Sequence, residues 1–232
     1  MGARGRLTGR EIHGPEPRAP LGRGRQNGKA CPCFVVRIFF VCSFMHPLRH
    51  FRFCPSCGIS LPEGPSVTPM RCSGCGFTFY INTTCATAAL LVRPDGMALF
   101  IRRAKDPAIG KLAMPGGFID EGETAEQGVR REFTEEVGFA PGEIDFLCSH
   151  PNSYLYKQVT YPVLDFFFVA RARGDEAPQA LDAVASVHWM NPLTIDSGEI
   201  AFPSMQHALE VYRRRADPAR PGFLLPEGAR RD

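Results

Sequence analysis

The segment spanning residues 116–139, GGFIDEGETAEQGVRREFTEEVGF, constrains the fold of this chain more than any other part of the sequence. Residues 124–137 carry apolar side chains at helical spacing, and two glycines lie a few positions before them. A helix here brings Glu132, Glu135 and Glu136 to one face, because residues three and four positions apart are neighbours on a helix surface. The pattern therefore predicts a glycine loop followed by a helix that carries a cluster of carboxylates.

Three clustered carboxylates indicate a cation site, since they repel one another strongly unless a cation neutralises them. Ligands that are all oxygen favour Mg²⁺ or Mn²⁺, and Mg²⁺ binds through a few carboxylates together with substrate phosphates. The carbonyl of Gly117 is a further candidate ligand, because glycine allows close approach of the backbone. The arrangement suits cleavage of a diphosphate by water, with Glu135 or Glu136 as candidate general bases.

The alternative for this segment is an ordinary, salt-bridged surface helix. Such a helix requires neither the preceding glycines nor Glu123 nor the closing Gly138, all of which are present. We therefore favour the catalytic interpretation.

The same segment resembles the signature of the Nudix hydrolase family: Gly, five residues, Glu, seven residues, then Arg-Glu-apolar-x-Glu-Glu-x-Gly-apolar. The resemblance implies an α/β fold, the Nudix α/β/α sandwich with a mixed β-sheet, and hydrolysis of a nucleoside diphosphate derivative such as ADP-ribose, NADH or FAD. It also implies that Arg131 organises the site by pairing with Glu123 or Glu135. The matching residues are Gly117, Glu123, Arg131, Glu132, Phe133, Glu135, Glu136, Gly138 and Phe139.

Four of the nine cysteines form two Cys-x-x-Cys pairs, each followed by glycine. Two such turns complete a tetrahedral four-thiolate zinc site with no open coordination position, so the predicted zinc is structural. We expect a small zinc ribbon over residues 51–81, with free thiols or disulfides as the alternative. The predicted ligands are Cys54, Cys57, Cys72 and Cys75, whereas Cys31, Cys33, Cys42, Cys85 and Cys148 are expected to be ordinary thiols.

A zinc ribbon directly before a Nudix domain, expected here at residues 84–216, is similar to the NADH pyrophosphatase branch of the family. Members that cleave NADH carry Ser-Gln-Pro-Trp-Pro-Phe-Pro after the signature, whereas residues 149–154 read SHPNSY. The glutamate expected six residues before Trp189 is replaced by Ala183, which leaves neighbouring Asp182 as a substitute fourth acidic ligand. The resemblance thus supports the reaction type and leaves the substrate open.

Aromatic and polar residues near this stretch are candidates for substrate binding. Tyr154 and Tyr156 can stack on a base or nicotinamide, or else pack at a strand edge, and Ser149 is the residue retained from the NADH element. Core positions are predicted for Phe118, for Phe133 and for at least one of residues 166–168. His150 and His188 are expected to be structural, because Mg²⁺ prefers oxygen ligands.

Periodicity elsewhere predicts strands joined by turns and one further helix. Residues 93–96, RPDG, form a turn that joins the first two strands in a hairpin. The second helix covers residues 204–215, with Ser204 as its cap. The predicted strands are residues 86–92, 97–102, 111–118, 163–170 and 186–190.

The ends of the chain differ from its centre in composition. Residues 1–44 hold eight Lys or Arg and two Asp or Glu, a charge of +6, so the remaining residues carry −3 of the total of +3. We expect residues 1–44 to be a disordered extension or sequence upstream of a biological start at Met45, and residues 217–232 to be a loose tail. The apolar run at 34–44 contains Arg37 and is too short to span a membrane.

The charge of the chain and the spacing of its cysteines limit which binding partners and which cellular compartment are expected. The mildly acidic body argues against nucleic acid, so a small-molecule nucleotide is the expected partner. Metal-type cysteine spacing without a clear export signal favours a reducing, cytoplasmic environment. The resemblance also suggests a homodimer. Two rival functions remain: a regulator that binds a nucleotide without hydrolysis, and an enzyme that removes a nucleotide cap from RNA.

Overall fold

A computed structural model describes residues 46–61 and 69–216 of the chain. The expectations for residues 1–44, for Met45 and for the tail at 217–232 lie outside the described residues. Within the described ranges, no helix has both the length and the apolar character needed to cross a membrane.

Nine strands and two α-helices make up the described fold, in the order two ribbon strands, four strands, a helix, three strands and a helix. The strands are β1 (Met70–Arg71), β2 (Thr78–Phe79), β3 (Thr84–Val92), β4 (Ala98–Arg103), β5 (Leu112–Ala113), β6 (Gly116–Phe118), β7 (Ile144–Tyr156), β8 (Val159–Arg171) and β9 (Val184–Met190). The helices are α1 (Ala125–Val137) and α2 (Pro203–Ala216), and short 3₁₀ turns lie at Pro47–His50 and Ser197–Glu199.

Seven of the strands form one mixed sheet with the path β5-β4-β3-β8-β7, while β6 pairs with β3 and β9 with β4. Strands β3 and β8 are parallel and stay in register from Thr84↔Val163 to Val92↔Arg171. The other pairings in this sheet are antiparallel. Strands β1 and β2 form a separate antiparallel ribbon. The predicted mixed sheet is therefore confirmed.

The two helices cover opposite faces of the sheet. The Thr87 hydroxyl donates to the Ala125 carbonyl of α1, whereas Ser204 of α2 donates to Asp165. Asp165 lies beside Ala86 in the sheet, and adjacent strand residues point to opposite faces. The hydrophobic core lies between the sheet and each of the two helices. Its fully buried residues include Leu90, Phe100, Phe133, Phe167 and Leu209. The predicted α/β/α sandwich is thus confirmed.

Most predicted elements are present with shifted ends. The hairpin of β3 and β4 pairs only beside its turn, at Val92↔Ala98, after which the strands take other partners. The single strand predicted over 111–118 is instead two strands, β5 and β6, which pair with β4 and β3 respectively. Pro115 lies between them, and proline cannot donate to a continuous ladder.

One strand was not predicted, and the predicted cap of α2 is wrong. The longest missed element is β7, which contains Pro151 and mostly exposed or half-buried side chains. It ends the path of the sheet, where an edge strand tolerates proline. Ser204 does not cap α2: the helix begins at Pro203, and the Ser204 hydroxyl is fully buried and donates to Asp165 instead.

Candidate active site and cysteine cluster

The four predicted zinc ligands come together in the ribbon through two matching turns. In each turn a glycine N–H donates to the carbonyl of the first cysteine, from Gly58 to Cys54 and from Gly76 to Cys72, at 2.9 Å in both. Both glycines have positive φ angles, 73° and 77°, which other residues rarely adopt. The repeated turn explains why each Cys-x-x-Cys pair is followed by glycine.

The cysteine geometry fits a tetrahedral metal site. The four Sγ atoms lie within 4.8 Å of one another. The distance between the Sγ atoms is 3.8 Å for Cys54 and Cys75, and 3.7 Å for Cys57 and Cys72. Zn–S bonds of about 2.3 Å place the sulfurs of a tetrahedron about 3.8 Å apart. The sulfurs are therefore spaced as four zinc ligands would be.

Helix α1 orients the signature glutamates through well-defined ends. Thr124 and Gln127 form a reciprocal capping box at its start, and Gly138 ends it in a left-handed conformation with φ 89°. Phe133 and Val137 are fully buried against the sheet, which fixes the rotation of the helix. The glutamates consequently reach the cavity beside β6.

Arg131 is the centre of an ion-pair network. Its Nε and Nη2 groups donate to the two carboxylate oxygens of Glu123 at 2.8 and 3.1 Å. Its Nη1 group donates to Glu132 at 2.8 Å and to Glu135 at 3.2 Å, and Nη2 also donates to the Phe118 carbonyl at 2.8 Å. Hydrogen bonds from Arg131 lower the pKa of Glu123. Glu123 and Glu135 were the two alternative partners expected for Arg131, and it binds both of them as well as Glu132.

Glu136 is the most buried of the three signature glutamates, with 8% of its surface exposed. Burial, together with the nearby Glu132 carboxylate, raises the pKa of Glu136 to about 8. The Gly116 N–H, which donates to Oε2 of Glu136 at 2.9 Å, lowers this pKa and offsets part of the effect. Burial also raises the pKa of Glu132, which Arg131 partly offsets. Two such carboxylates form a site that a cation would stabilise.

The two glycines before the helix allow this close approach. A Cβ on Gly117 would lie 2.5 Å from Oε1 of Glu132. A Cβ on Gly116 would lie 2.1 Å from the Thr87 carbonyl oxygen. Among the described residues, only the cysteines form a set of three or more ligand side chains packed within 4.8 Å, so the glutamates are arranged more openly.

A cavity of about 370 Å³ joins the glutamates to aromatic and basic side chains. Its acidic wall includes Asp120, Glu132, Glu135, Glu136 and Asp182, and its basic residues are Arg103 and Lys105. Its other lining residues include Phe118, Asn152, Tyr154, Tyr156, Asp165, Phe167, Phe202 and Met205. An apolar pocket of about 290 Å³ shares Phe118, Tyr154 and Tyr156 with it. The cavity therefore offers carboxylates, cations and aromatic surface together.

The predicted substrate-binding residues separate into two groups. Tyr154 and Tyr156 line the cavity, and the Tyr154 ring meets the Phe118 ring edge-on at 5.2 Å. Ser149 is exposed and is not a lining residue; strand alternation places it on the opposite face of β7 from Tyr154. Phe118, predicted to be core, is 37% exposed, because β6 presents it to the cavity. Phe133 and both Phe167 and Phe168 are buried as predicted.

Asp182 reaches the same cavity as the signature glutamates. Its backbone N–H donates to the Glu135 carbonyl at 3.2 Å, and that of Leu181 donates to the Glu136 carbonyl at 3.0 Å. These bonds tie the loop before β9 to the last turn of α1. The Asp182 carboxylate pairs with Lys105 at 2.9 Å, which lowers its pKa. Asp182 is therefore placed beside the carboxylate cluster, paired with a lysine.

A buried polar triad was not found from the sequence. Asp165, 7% exposed, lies on β8, accepts hydrogen bonds from Ser204 and Asn152, and lines the cavity. Burial raises its pKa, and these two donors oppose that effect. The signal that could have found it is a lone carboxylate in the apolar run VLDFFFVA, since a buried charge needs partners.

The two histidines have local partners away from the glutamates. The His150 ring contacts the His207 ring of α2 at a tilt of 34°, with centroids 4.3 Å apart, and His188 bonds to the Ser186 hydroxyl at 2.7 Å. Neither is a lining residue of the cavity. Cys85 and Cys148 are free thiols, as expected.

Comparison with known proteins agrees with this geometry. Residues 83–209 match the family model described as NUDIX domain. The protein named NAD-capped RNA hydrolase NudC from Pseudomonas aeruginosa is 26% identical over 180 residues, which cover 75% of this chain and 61% of that protein. The protein of the same name from Deinococcus radiodurans is 29% identical over 134 residues, covering 56% and 46%. The chain thus spans about three fifths or less of these relatives.

A solved structure supports the fold alone. The crystal structure of a NUDIX hydrolase from Nitrosomonas europaea superposes with a TM-score of 0.52 at 22% identity. The match covers 75% of this chain and 96% of that one.

Proposed function

This chain belongs to the Nudix family, and on that premise we propose that it is a metal-dependent hydrolase that cleaves the diphosphate bond of a nucleoside diphosphate derivative. One observation carries the proposal. The signature glutamates, the cations Arg103 and Lys105, and the rings of Phe118 and Tyr154 line a single cavity. A nucleoside diphosphate presents the complementary groups, namely phosphates and a flat ring.

The catalytic cation would be held by Glu132, Glu135 and Glu136, with the Gly117 carbonyl as a further ligand. Oxygen donors and buried like charges suit Mg²⁺ or Mn²⁺. A bound ion of this kind screens phosphate charge and activates water. Asp182 is proposed as an additional acidic group, since it lines the same cavity.

The chain's own residues orient the reaction. Arg131 fixes the Glu132 and Glu135 carboxylates through hydrogen bonds, so it positions ligands and does not need to touch the substrate. Glu136 has no bond to Arg131, and its second carboxylate oxygen remains available beside the cavity. Glu135 and Glu136 both remain candidates for the general base, and water is expected to attack a phosphorus atom of the diphosphate.

The test is a hydrolysis screen with ADP-ribose, NADH, NAD, FAD, dinucleoside polyphosphates and nucleoside triphosphates, each with Mg²⁺ and Mn²⁺. We expect the products to be a mononucleotide and a phosphorylated partner. When the reaction is run in ¹⁸O-labelled water, the label should appear in one product phosphate. Glu135→Gln and Glu136→Gln should lower kcat by at least about 10²-fold while the protein stays folded. Glu143→Gln is the matched control, because Glu143 is exposed and outside the cavity. Normal activity in Glu136→Gln, or no hydrolysis of any diphosphate, overturns the proposal.

A second candidate function is removal of a nucleotide cap from RNA, which the relatives' name, NAD-capped RNA hydrolase, favours. The charge of −3 on the body of the chain favours the free nucleotide instead. Comparing kcat/KM for NAD-capped RNA and free NAD distinguishes the two. A pure nucleotide sensor is the remaining rival, and it would bind nucleotide without turnover.

Three further properties are proposals that rest on the cysteine cluster and the resemblance. The cluster of Cys54, Cys57, Cys72 and Cys75 holds a structural zinc, as its sulfur spacing supports. Thiolate ligands require reduced cysteines, which supports a cytoplasmic location. The chain acts as a homodimer, which light scattering at several concentrations would test.

A further inference from the structure

Asp165 presents one of its two carboxylate oxygens to the cavity. The Ser204 hydroxyl and the Asn152 amide, the latter at 2.9 Å, both donate to Oδ2. No hydrogen bond reaches Oδ1 from any residue in the described ranges 46–61 and 69–216. Asp165 is 7% exposed and is a lining residue. Oδ1 is not one of the enclosed, unpaired side-chain atoms of the described residues, so it is open to the cavity. A ligand that covers it must supply a donor, because a buried acceptor without a partner is costly.

The surrounding bonds fix Asp165 as an acceptor. The Oδ1 atom of Asn152 accepts from the Ser153 N–H at 2.8 Å, so the amino group of Asn152 is the side that faces Asp165. Ser204 is fully buried and has Asp165 as its side-chain partner. Two donors on one oxygen stabilise the charged carboxylate.

The position of Asp165 suits contact with a ring. Asp165, Ala86 and Phe118 lie side by side on three neighbouring strands. The Phe118 ring contacts Tyr154, whose ring lies 6.0 Å from that of Phe202. The carboxylate thus borders the aromatic part of the cavity.

The separation from the glutamates leaves room for a sugar. Gly116, which donates to Glu136, lies on β6, and Asp165 lies on β8, with β3 between them. Two strand spacings amount to about 10 Å. A diphosphate at the glutamates and a ring near Asp165 can therefore belong to one nucleotide.

We propose that Asp165 selects substrates whose ring carries an amino group, which donates a hydrogen bond to its free oxygen. The 6-amino group of adenine and the carboxamide of nicotinamide share this chemistry. The inference rests on the proposed diphosphate hydrolysis and adds a specificity residue outside the signature. The competing explanation is that Asp165 only anchors α2 to the sheet through Ser204.

Substrate pairs that differ at one group test the inference in the wild-type enzyme. ADP-ribose is compared with its hypoxanthine analogue, and NAD with nicotinic acid adenine dinucleotide. The analogue in each pair replaces the amino group by oxygen. Loss of a hydrogen bond to a charged acceptor should lower kcat/KM by about 10- to 100-fold. A lower kcat/KM with the hypoxanthine analogue identifies adenine as the source of the donor. A lower kcat/KM with the nicotinic acid analogue identifies nicotinamide.

Asp165→Asn separates recognition from anchoring. Its amide can still accept from Ser204 through oxygen, while its amino group meets an oxo-substituted ring. We expect the ratio of kcat/KM between the amino and oxo substrates to fall by at least about tenfold or to reverse. A purely anchoring role lowers activity on both substrates alike and leaves the ratio unchanged. Asp145→Asn is the matched control, since Asp145 is exposed and outside the cavity, and it should not alter the ratio.

The outcomes are distinct from those of the proposed function. Equal hydrolysis of both members of each pair overturns the role of Asp165 and leaves diphosphate hydrolysis intact. A preference that persists unchanged in Asp165→Asn also overturns it, because another residue must then read the amino group. An absence of hydrolysis of every diphosphate by wild-type enzyme is instead a failure of the proposed function.

Discussion

Alanine at the adjacent glycines should have different effects: Gly116→Ala should mainly lower stability, whereas Gly117→Ala should mainly lower activity. At Gly116, φ is +151°, and the new Cβ would lie 2.1 Å from the Thr87 oxygen and 2.5 Å from Ala88 Cα, both of which are backbone atoms of β3. Relief therefore requires β6 to move away from the sheet. Gly117 has no positive φ, and its Cβ would meet the end of the Glu132 side chain at 2.5 Å.

These contacts set the expected magnitudes. Backbone strain and overpacking cost about 1–3 kcal/mol each, so Gly116→Ala should destabilise the fold by about 3–4 kcal/mol. For a protein of this size that lowers Tm by about 6–16 °C. In Gly117→Ala the Glu132 carboxylate shifts by about 1 Å, which should reduce kcat/KM by about 10²-fold. Because a side chain can move, the loss of stability should stay within about 1 kcal/mol.

Thermal unfolding by circular dichroism and kcat/KM with a diphosphate substrate measure the two effects separately. Gly142→Ala is the control, because its Cβ would find no atom nearer than 4.0 Å and its φ is not positive. The reasoning fails if Gly117→Ala loses as much Tm as Gly116→Ala. It also fails if Gly117→Ala retains activity within about threefold of wild type.

Three further outcomes are expected. Wild-type protein should contain about one zinc ion per chain by elemental analysis, and Cys54→Ser/Cys72→Ser should contain none; wild type without zinc contradicts the ribbon site. Glu123→Gln should lower Tm at pH 7, since Arg131 holds the pKa of Glu123 below its usual range. The ion pair stabilises the fold fully above the ordinary glutamate pKa of about 4.3. The difference should therefore shrink as the pH falls below that value and through the lowered pKa of the folded carboxylate, and a difference independent of pH argues against the pair. Tyr154→Ala should raise KM by about tenfold or more, through lost stacking, with a smaller change in kcat, and an unchanged KM assigns Tyr154 to packing.

The helix of the signature was predictable because several independent signals agree there. Helical spacing and the closing Gly138 both specify α1, and its ends match the prediction within one residue. The pairing of Arg131 with Glu123 or Glu135 was implied by the resemblance to the family signature. Local sequence determines the extent of such a helix, since the signals for its spacing and its end lie within it or next to it.

Features set by distant parts of the chain were harder to predict. Strand β7 was missed because an edge strand with Pro151 lacks a buried alternation. Phe118 was predicted to lie in the core, yet its strand presents it to the cavity. Ser204 looked like a helix cap, and only the packing of α2 on β8 reveals that its hydroxyl is used by Asp165. In each case the tertiary partner, and not the local pattern, decides the outcome.

The parallel pairing of β3 with β8 has a consequence for how the chain folds. Each pair joins residues 79 positions apart, from Thr84 and Val163 to Val92 and Arg171. The floor of the cavity therefore cannot form until most of the domain has been synthesised. Closing so long a loop costs conformational entropy before the stabilising contacts between β3 and β8 can form. Until then the apolar strand at residues 86–92 has an unpaired edge, which makes chains truncated before residue 163 prone to aggregate and unable to build a partial site.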